Sequence, residues 1–139
     1  MSAIRSGTLA AALLILPAAV LAQGADLGRI EFMTNCAQCH GADGKGDGVI
    51  AEYLTTQPAD LTVIQRANDG VFPFEWLYET IEGTRLPGGH GTTEMPAWGE
   101  RYAADAPWVL GLPYSPLERD AYIHSRILAL IDHIAQIQE

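Results

Sequence analysis

The two cysteines of the chain, Cys36 and Cys39, are separated by two residues, and His40 follows directly. Thiols at this spacing beside an imidazole suit three chemistries: a thioredoxin-like redox pair, a structural zinc site, or covalent attachment of a haem. In the third chemistry, the thiols add to the vinyl groups of the macrocycle, and the imidazole coordinates the iron. Residues three and four apart on a helix share a face, so these three side chains can address one flat group.

The sequence around the motif separates the three chemistries. Leu27, Ile30 and Met33 repeat at helical spacing, with Asp26 placed to cap the helix, whereas a thioredoxin-like site would follow a strand in a βαβ unit. A structural zinc site needs four ligands. Beyond Cys36, Cys39 and His40 the chain has three histidines, no second CxxC motif and no HxxxH pair. The sequence therefore favours one covalently attached haem c, with His40 as an axial ligand of its iron.

A second axial ligand must come from a methionine or histidine elsewhere, and the candidates are Met33, His90, Met95, His124 and His133. Met33 precedes the motif on the same predicted helix, so it cannot reach the opposite face of a haem, and we expect it in the core. His90 and Met95 belong to a glycine-rich segment, residues 86–99, that could wrap over that face. Because Pro96 stiffens the backbone after Met95 and thioether sulfur is a common haem ligand, we predict Met95.

Two further segments predict helices. Ser115 and Glu118 predict a capping box with Pro116 in the first helical position, which indicates a C-terminal helix of about 20 residues. Its apolar stripe consists of Ile123, Ile127, Leu130, Ile131 and Ile134, and it carries His124 and His133. Pro73 and Gly83 mark the start and end of a shorter helix. No segment favours a strand, so we predict one all-α domain of three to four helices.

The N-terminal residues 1–22 have the pattern of a secretory signal. Arg5 precedes an apolar run that is interrupted by Pro17, and small residues stand near Ala22. An uncleaved membrane anchor is the alternative; otherwise residues 23–139 form the mature domain. Cleavage after residue 22 would remove Arg5 and no acidic residue, so the formal net charge would change from −9 to −10. This charge disfavours binding to nucleic acid or to an anionic lipid surface through electrostatic attraction.

With the CxxCH motif, a late Met-Pro pair and a terminal amphipathic helix, the chain closely resembles the class I c-type cytochromes, specifically the monohaem bacterial periplasmic type. The resemblance covers essentially the whole mature chain. It implies the class I cytochrome c fold, thioether bonds to Cys36 and Cys39, and axial ligation by His40 and Met95.

The resemblance also assigns residues around the haem. Gly28 and Phe32 match a glycine and an aromatic residue of the family's first helix. Pro58 is expected to supply the carbonyl that accepts a hydrogen bond from the proximal imidazole, and Leu61 to pack on the haem. His133 stands where the family usually has an aromatic residue against that glycine.

The segment between the Met-Pro pair and the last helix is longer than in the smallest family members. We expect its apolar residues Trp108, Leu110 and Leu112 to cover the core, in preference to forming a docking patch for a partner. Trp76 and Arg85 are candidate partners for the haem propionates.

A haem held on both axial positions has no open site for substrate, so the expected function is one-electron transfer by an exported, periplasmic carrier that is not an enzyme. Two alternatives remain: a tightly bound cytochrome subunit of a dehydrogenase or oxidase, and a haem peroxidase or gas-binding protein with a labile sixth ligand. We expect the redox partner to carry a basic patch, because acids outnumber bases in the loops expected around the haem edge: Asp43, Asp47, Glu94 and Glu100 against Lys45 and Arg101.

Overall fold

The structure is a computed structural model that describes residues 27–84 and 95–139. Within these two ranges the regular secondary structure is helical and no strand occurs, which confirms the all-α prediction. No helix in the same two ranges is both long and apolar enough to cross a bilayer. The predicted signal at residues 1–22 and the candidate residues Arg85, His90 and Glu94 lie outside the described residues.

The first helix, α1, covers residues 27–40 and carries the CxxCH motif at its C-terminal end. Residues 27–31 are α-helical, Phe32–Cys36 form a π-helical turn, and Ala37–His40 return to α-helix. The π-helical turn is marked by the N–H of Ala37, which bonds the carbonyl of Phe32 five residues earlier. Such turns are rare inside α-helices and are frequent at functional sites.

Within the described residues, four further helices follow α1. A 3₁₀ turn at Ala51–Tyr53 precedes a second one at Leu61–Val63, which leads into the short helix α2, Ile64–Ala67. The longer helices are α3, Phe74–Glu82, α4, Trp98–Leu110, and α5, Pro116–Gln136.

The ends of α3 and α5 confirm the sequence predictions. Pro73 is the N-cap of α3, and Gly83 closes the helix with a left-handed φ of 93°. At α5, Ser115 accepts from the N–H of Glu118 while the Glu118 carboxylate accepts from the N–H of Ser115, so the predicted capping box is present.

Helix α4 was not predicted, because Pro107 lies inside it and its apolar residues form no continuous stripe. The signal in the sequence is a shorter series: Trp98, Tyr102 and Ala106 recur every four residues and are all buried. Beyond Ala106 the series stops. Trp108 is 88% exposed and Leu112 is 80% exposed, so the prediction that this segment covers the core is wrong.

The core is formed mainly between α5 and the helices α1, α3 and α4. Its buried apolar members are Phe32, Leu77, Ile81, Trp98, Tyr102, Ile127, Leu130, Ile131 and Ile134. Met33 is not among them: it is 43% exposed, so its expected place in the core is wrong. The side chain points to the outer face of α1 because the buried positions of this helix are Gly28, Glu31 and Phe32.

Helices α1 and α5 touch at backbone level. A Cβ on Gly28 would overlap the carbonyl oxygen of Ala129 and would lie 3.0 Å from the Cβ of His133. The His133 ring packs on Phe32 with ring centroids 5.0 Å apart. His133 therefore has the structural place at the helix crossing that the sequence predicted.

Candidate functional site

A large cavity opens beside the CxxCH motif. It encloses about 1120 Å³ of space, including its opening to solvent, and is bounded by α1, the chain from Leu54 to Ile64, α3, the start of α4, and α5. Its lining side chains are mainly apolar, and they include Phe32, Leu54, Leu61, Ile64, Trp76, Leu77, Ile81, Pro96, Trp98, Leu130 and Ile134. A concave apolar site with a few polar groups is the usual form of a cofactor pocket.

All six candidate cofactor residues line this one cavity: Cys36, Cys39, His40, Pro58, Leu61 and Met95. Met95 comes from a part of the chain far from the motif, so tertiary folding alone brings it there. The other described candidates for the second ligand, Met33, His124 and His133, are not among the lining residues. His90 lies outside the described residues.

The imidazole of His40 is oriented by the backbone. Its Nδ1 lies 2.9 Å from the carbonyl oxygen of Ala59. Because a carbonyl can only accept, Nδ1 carries the hydrogen, and the neutral ring then has its lone pair on Nε2, as a metal-ligating imidazole requires.

The structure corrects the expected role of Pro58 as the residue whose carbonyl accepts from His40. It is Ala59 that supplies the carbonyl, one residue after Pro58. The carbonyl of Pro58 is turned to Gly46 instead, where a Cβ would overlap it. Pro58 contributes to the cavity as a lining residue.

The glycine-rich loop after the motif closes the end of α1. The N–H groups of Gly46 and Gly48 donate to the carbonyls of His40 and Cys39 at 2.7 and 3.0 Å, and the N–H of Ile50 donates to Gln38 at 3.1 Å. These bonds satisfy carbonyls that a helix end leaves without intrahelical partners. The loop therefore holds the motif residues in place.

The cavity wall at Leu61 is held from two sides. Its N–H donates to the carbonyl of Gly44 at 2.7 Å, and its carbonyl accepts from the side-chain amide of Gln138 at 2.7 Å. The side-chain oxygen of Gln138 also accepts from the N–H of Gln65 at 2.9 Å. Nothing in the sequence pattern indicated that the C-terminal residues position this wall.

Three polar side chains of the lining are already bonded to protein. Asn35 donates to Glu31 at 3.0 Å, the Thr80 hydroxyl donates to the Trp76 carbonyl at 2.7 Å, and Gln57 donates to the carbonyl of Gly46. With these groups satisfied, the walls offer apolar surface to a bound group, and the donor set consists of two thiols, an imidazole and a thioether. This donor set and the apolar walls fit a haem.

The two thiols fit the other chemistries poorly. Both cysteines are free and partly buried. Burial, the carboxylate of Glu31 and the neighbouring Cys39 raise the pKa of the Cys36 thiol to about 12. A thiol that stays protonated at neutral pH is a weak nucleophile for disulfide exchange. Among residues 27–84 and 95–139, no three His, Cys, Asp or Glu side chains come together to hold a metal ion, which disfavours a structural zinc site.

A buried carboxylate, that of Glu31, lies on α1 five residues before Cys36. Glu31, only 8% exposed, accepts from the hydroxyl of Tyr102 at 3.0 Å and forms an ion pair with Arg126. Burial and the Glu31 charge raise the pKa of Tyr102 above its ordinary value, so its hydroxyl remains a donor. The network joins α1, α4 and α5, and its members are too far apart in sequence for any local pattern to reveal it.

Two tryptophans complete the cavity walls. Trp76 lines it from α3. Trp98 lines it from the first turn of α4, with the guanidinium carbon of Arg101 5.2 Å from its ring centroid. Trp98 was missed at the sequence level together with its helix.

Comparison with known families identifies one match. Residues 25–70 match the family model described as cytochrome c, which supports a c-type cytochrome with haem-binding electron transfer. The match includes Cys36, Cys39 and His40 and ends before Met95. The helical structure is consistent with the all-α cytochrome c fold. No curated protein and no solved structure was found to match the chain.

Proposed function

We propose that this chain is a periplasmic one-electron carrier that holds a single haem c. Cys36 and Cys39 form the thioether bonds, and His40 and Met95 are the axial ligands of the iron. The observation that carries the proposal is the convergence of the CxxCH motif and the distant Met95 on one apolar cavity.

The protein's own groups have defined tasks in this proposal. When bound, the haem supplies reversible one-electron exchange between ferrous and ferric iron. The carbonyl of Ala59 fixes the ring of His40, and with it the direction of the Nε2 lone pair. The apolar walls formed by residues such as Leu61 and Trp98 exclude water, which disfavours the more highly charged ferric state.

Ligation at both axial positions leaves the protein without a site for substrate or oxygen. We therefore propose a carrier and not an enzyme. Export is supported by the signal pattern of residues 1–22, and the proposed partner is a redox protein with a basic patch.

The test uses the mature protein produced in cells with haem c maturation. We expect an intact mass that exceeds the bare chain by one haem, and no covalent haem in the double variant Cys36→Ala/Cys39→Ala. Met95→Ala should lose the far-red sulfur-to-iron absorption band and bind cyanide or carbon monoxide readily.

Two matched variants control for general damage. Met33→Ala removes an exposed thioether from α1, and His90→Ala removes the competing ligand candidate from the same glycine-rich stretch of sequence as Met95. Both should keep the far-red band. A mass equal to the bare chain would refute the haem c proposal, and loss of the band in His90→Ala with its survival in Met95→Ala would refute the ligand assignment.

A further inference from the structure

An exposed apolar surface lies at the turn between α4 and α5. It consists of Trp108, Val109, Leu110, Leu112 and Leu117, which are 88, 52, 39, 80 and 78% exposed. We call these five residues the turn surface. They lie within ten positions of the chain, across the last turn of α4, the connection, and the first turn of α5.

The turn surface is comparable in size with the largest apolar patches of monomeric proteins. A tryptophan side chain presents about 200 Å² when fully exposed. With the four aliphatic side chains, the summed exposed apolar area at this turn is on the order of 500 Å², and apolar patches of this size on monomeric proteins are often functional. A standard protein interface uses about 800 Å² per partner, so the turn surface could form the apolar centre of one.

The turn surface is separate from the cavity. Trp98, at the N-terminal end of α4, lines the cavity, whereas Trp108 lies ten residues further along the same helix. At 1.5 Å per residue, this places the two about 15 Å apart along the helix axis. Trp98 and Trp108 therefore lie near opposite ends of α4.

Charges beside the turn surface select the kind of occupant. Asp105 and Glu118 are exposed, and Arg119 is paired with Asp120 at 3.1 Å, so the border is acidic. An anionic lipid surface would repel this border, and a second copy would bring like charges together in a symmetric dimer.

We propose that the turn surface docks a partner protein whose apolar groove is flanked by lysine or arginine residues. The partner would contact the C-terminal end of α4, whereas the cavity is lined from its N-terminal end. The binding inference does not depend on the haem proposal, because no cavity residue takes part in it.

The first experiment asks what the purified mature protein does alone. Sedimentation should show a monomer at concentrations up to about 100 μM, and the protein should not float with phosphatidylcholine or phosphatidylglycerol vesicles. A dimer that Trp108→Ser dissociates, or vesicle binding that this variant abolishes, would overturn the proposal in favour of a second copy or a membrane.

The second experiment identifies the partner. A photo-crosslinking benzoylphenylalanine replaces Trp108 in cells that naturally produce the chain, and the same residue replaces Tyr53, which is 78% exposed, as the control. Position 108 should crosslink to one protein, at apolar residues adjacent to lysine or arginine, and position 53 should not give this product. No product from position 108, or the same product from both positions, would overturn the proposal.

Affinity for that identified protein is then measured with two matched double variants. Trp108→Ser/Leu112→Ser should weaken binding by about tenfold or more, as expected for an aromatic anchor at an interface centre. Val49→Ser/Tyr53→Ser removes side chains of similar exposure elsewhere and should change affinity less than about twofold. Equal losses in the two variants would contradict the proposal. An unchanged haem spectrum in both keeps this result separate from the haem proposal.

Discussion

At the level of single residues, His133 combines a structural place with a titratable ring. Burial is the main reason why its pKa is lowered from the ordinary value of 6.5, and the positive charge of Arg29 acts in the same direction, while Asp132 opposes it. The ring packs on Phe32, which lines the cavity. The folded state therefore favours the neutral imidazole.

The lowered pKa predicts a pH dependence of stability. Between the lowered value and 6.5 the unfolded chain binds more protons at this histidine than the folded chain does, so its protonation favours unfolding as pH falls below about 6.5. We expect the melting temperature of the haem-loaded protein to fall less between pH 7.5 and pH 5.5 in His133→Phe than in the wild type. Calorimetry at a series of pH values would measure it.

His124→Phe provides the matched control, because His124 packs edge-on against Tyr78 with ring centroids 5.9 Å apart. The melting temperature should depend less on pH in His133→Phe than in this variant. Identical pH profiles for the wild type and His133→Phe would show that His133 does not contribute to the loss of stability in acid.

At the level of elements, the crossing of α1 and α5 determines where the CxxCH motif stands relative to the core. Gly28 allows the backbone contact with Ala129, and the network of Glu31, Tyr102 and Arg126 joins the same helix to α4 and α5. The contact at Gly28 requires that this residue has no side chain. The network at Glu31 requires that its hydrogen-bond and ion-pair partners on α4 and α5 lie opposite it.

The crossing predicts a cost for a single methyl group. Gly28→Ala should lower the free energy of unfolding by about 1–3 kcal/mol, because the new Cβ overlaps the Ala129 carbonyl and the helices must shift. Helix propensity alone would favour Ala by about 1 kcal/mol, so the sign separates the two effects. Denaturant unfolding of the haem-loaded protein measures it.

Arg29→Ala is the control, since it changes the next residue of α1, which is exposed. We expect it to alter the free energy of unfolding by less than about 0.5 kcal/mol. A Gly28→Ala protein as stable as the wild type would mean that the two helices are not in backbone contact.

At the level of the whole molecule, acidic residues surround the part of the chain next to the motif. Asp43, Asp47 and Glu100 are exposed, and we call these three residues the acidic border of the motif. The positive charges nearby are engaged: Lys45 pairs with Glu139 at 3.0 Å, and Arg101 lies over Trp98. We propose that this acidic border attracts a basic redox partner, in contrast to the turn surface at the far end of α4.

The acidic border predicts opposite salt effects with small redox probes of opposite charge. The second-order rate of electron transfer with hexaammineruthenium, a cation, should fall as ionic strength rises from 0.01 to 0.1 M, where the Debye length shortens from about 30 to about 10 Å. The rate with ferricyanide, an anion, should rise over the same range. Stopped-flow absorbance of the haem measures both rates.

Variants test whether the salt dependence of the rate comes from the acidic border or from the net charge of the whole chain, which is −9. Asp43→Asn/Glu100→Gln should reduce the salt dependence more than twice as much as Asp69→Asn, which removes one exposed acid in a turn outside the cavity lining. Salt dependence that falls only in proportion to the charge removed would refute a local acidic border.

The local features of the fold could be predicted because their causes are local. The capping box at Ser115, the stop at Gly83, and the shared face of Cys36, Cys39 and His40 each depend on residues within one or two helical turns. Helix α4 was missed because its buried series has only three members and because the helix contains Pro107.

The sequence by itself determined the chemistry: a CxxCH motif on a helix, a methionine in a later loop as candidate ligand, and a terminal amphipathic helix to cover the core. Only the tertiary structure decided which distant groups meet. In the folded chain Met95 lines the cavity beside the motif, and the carbonyl of Ala59, not that of Pro58, bonds His40. Glu31 pairs with Arg126, and Trp108 is exposed to solvent. The physical reason is that each of these contacts depends on how helices cross, and a crossing is set by the packing of the whole core, which no short stretch of sequence contains.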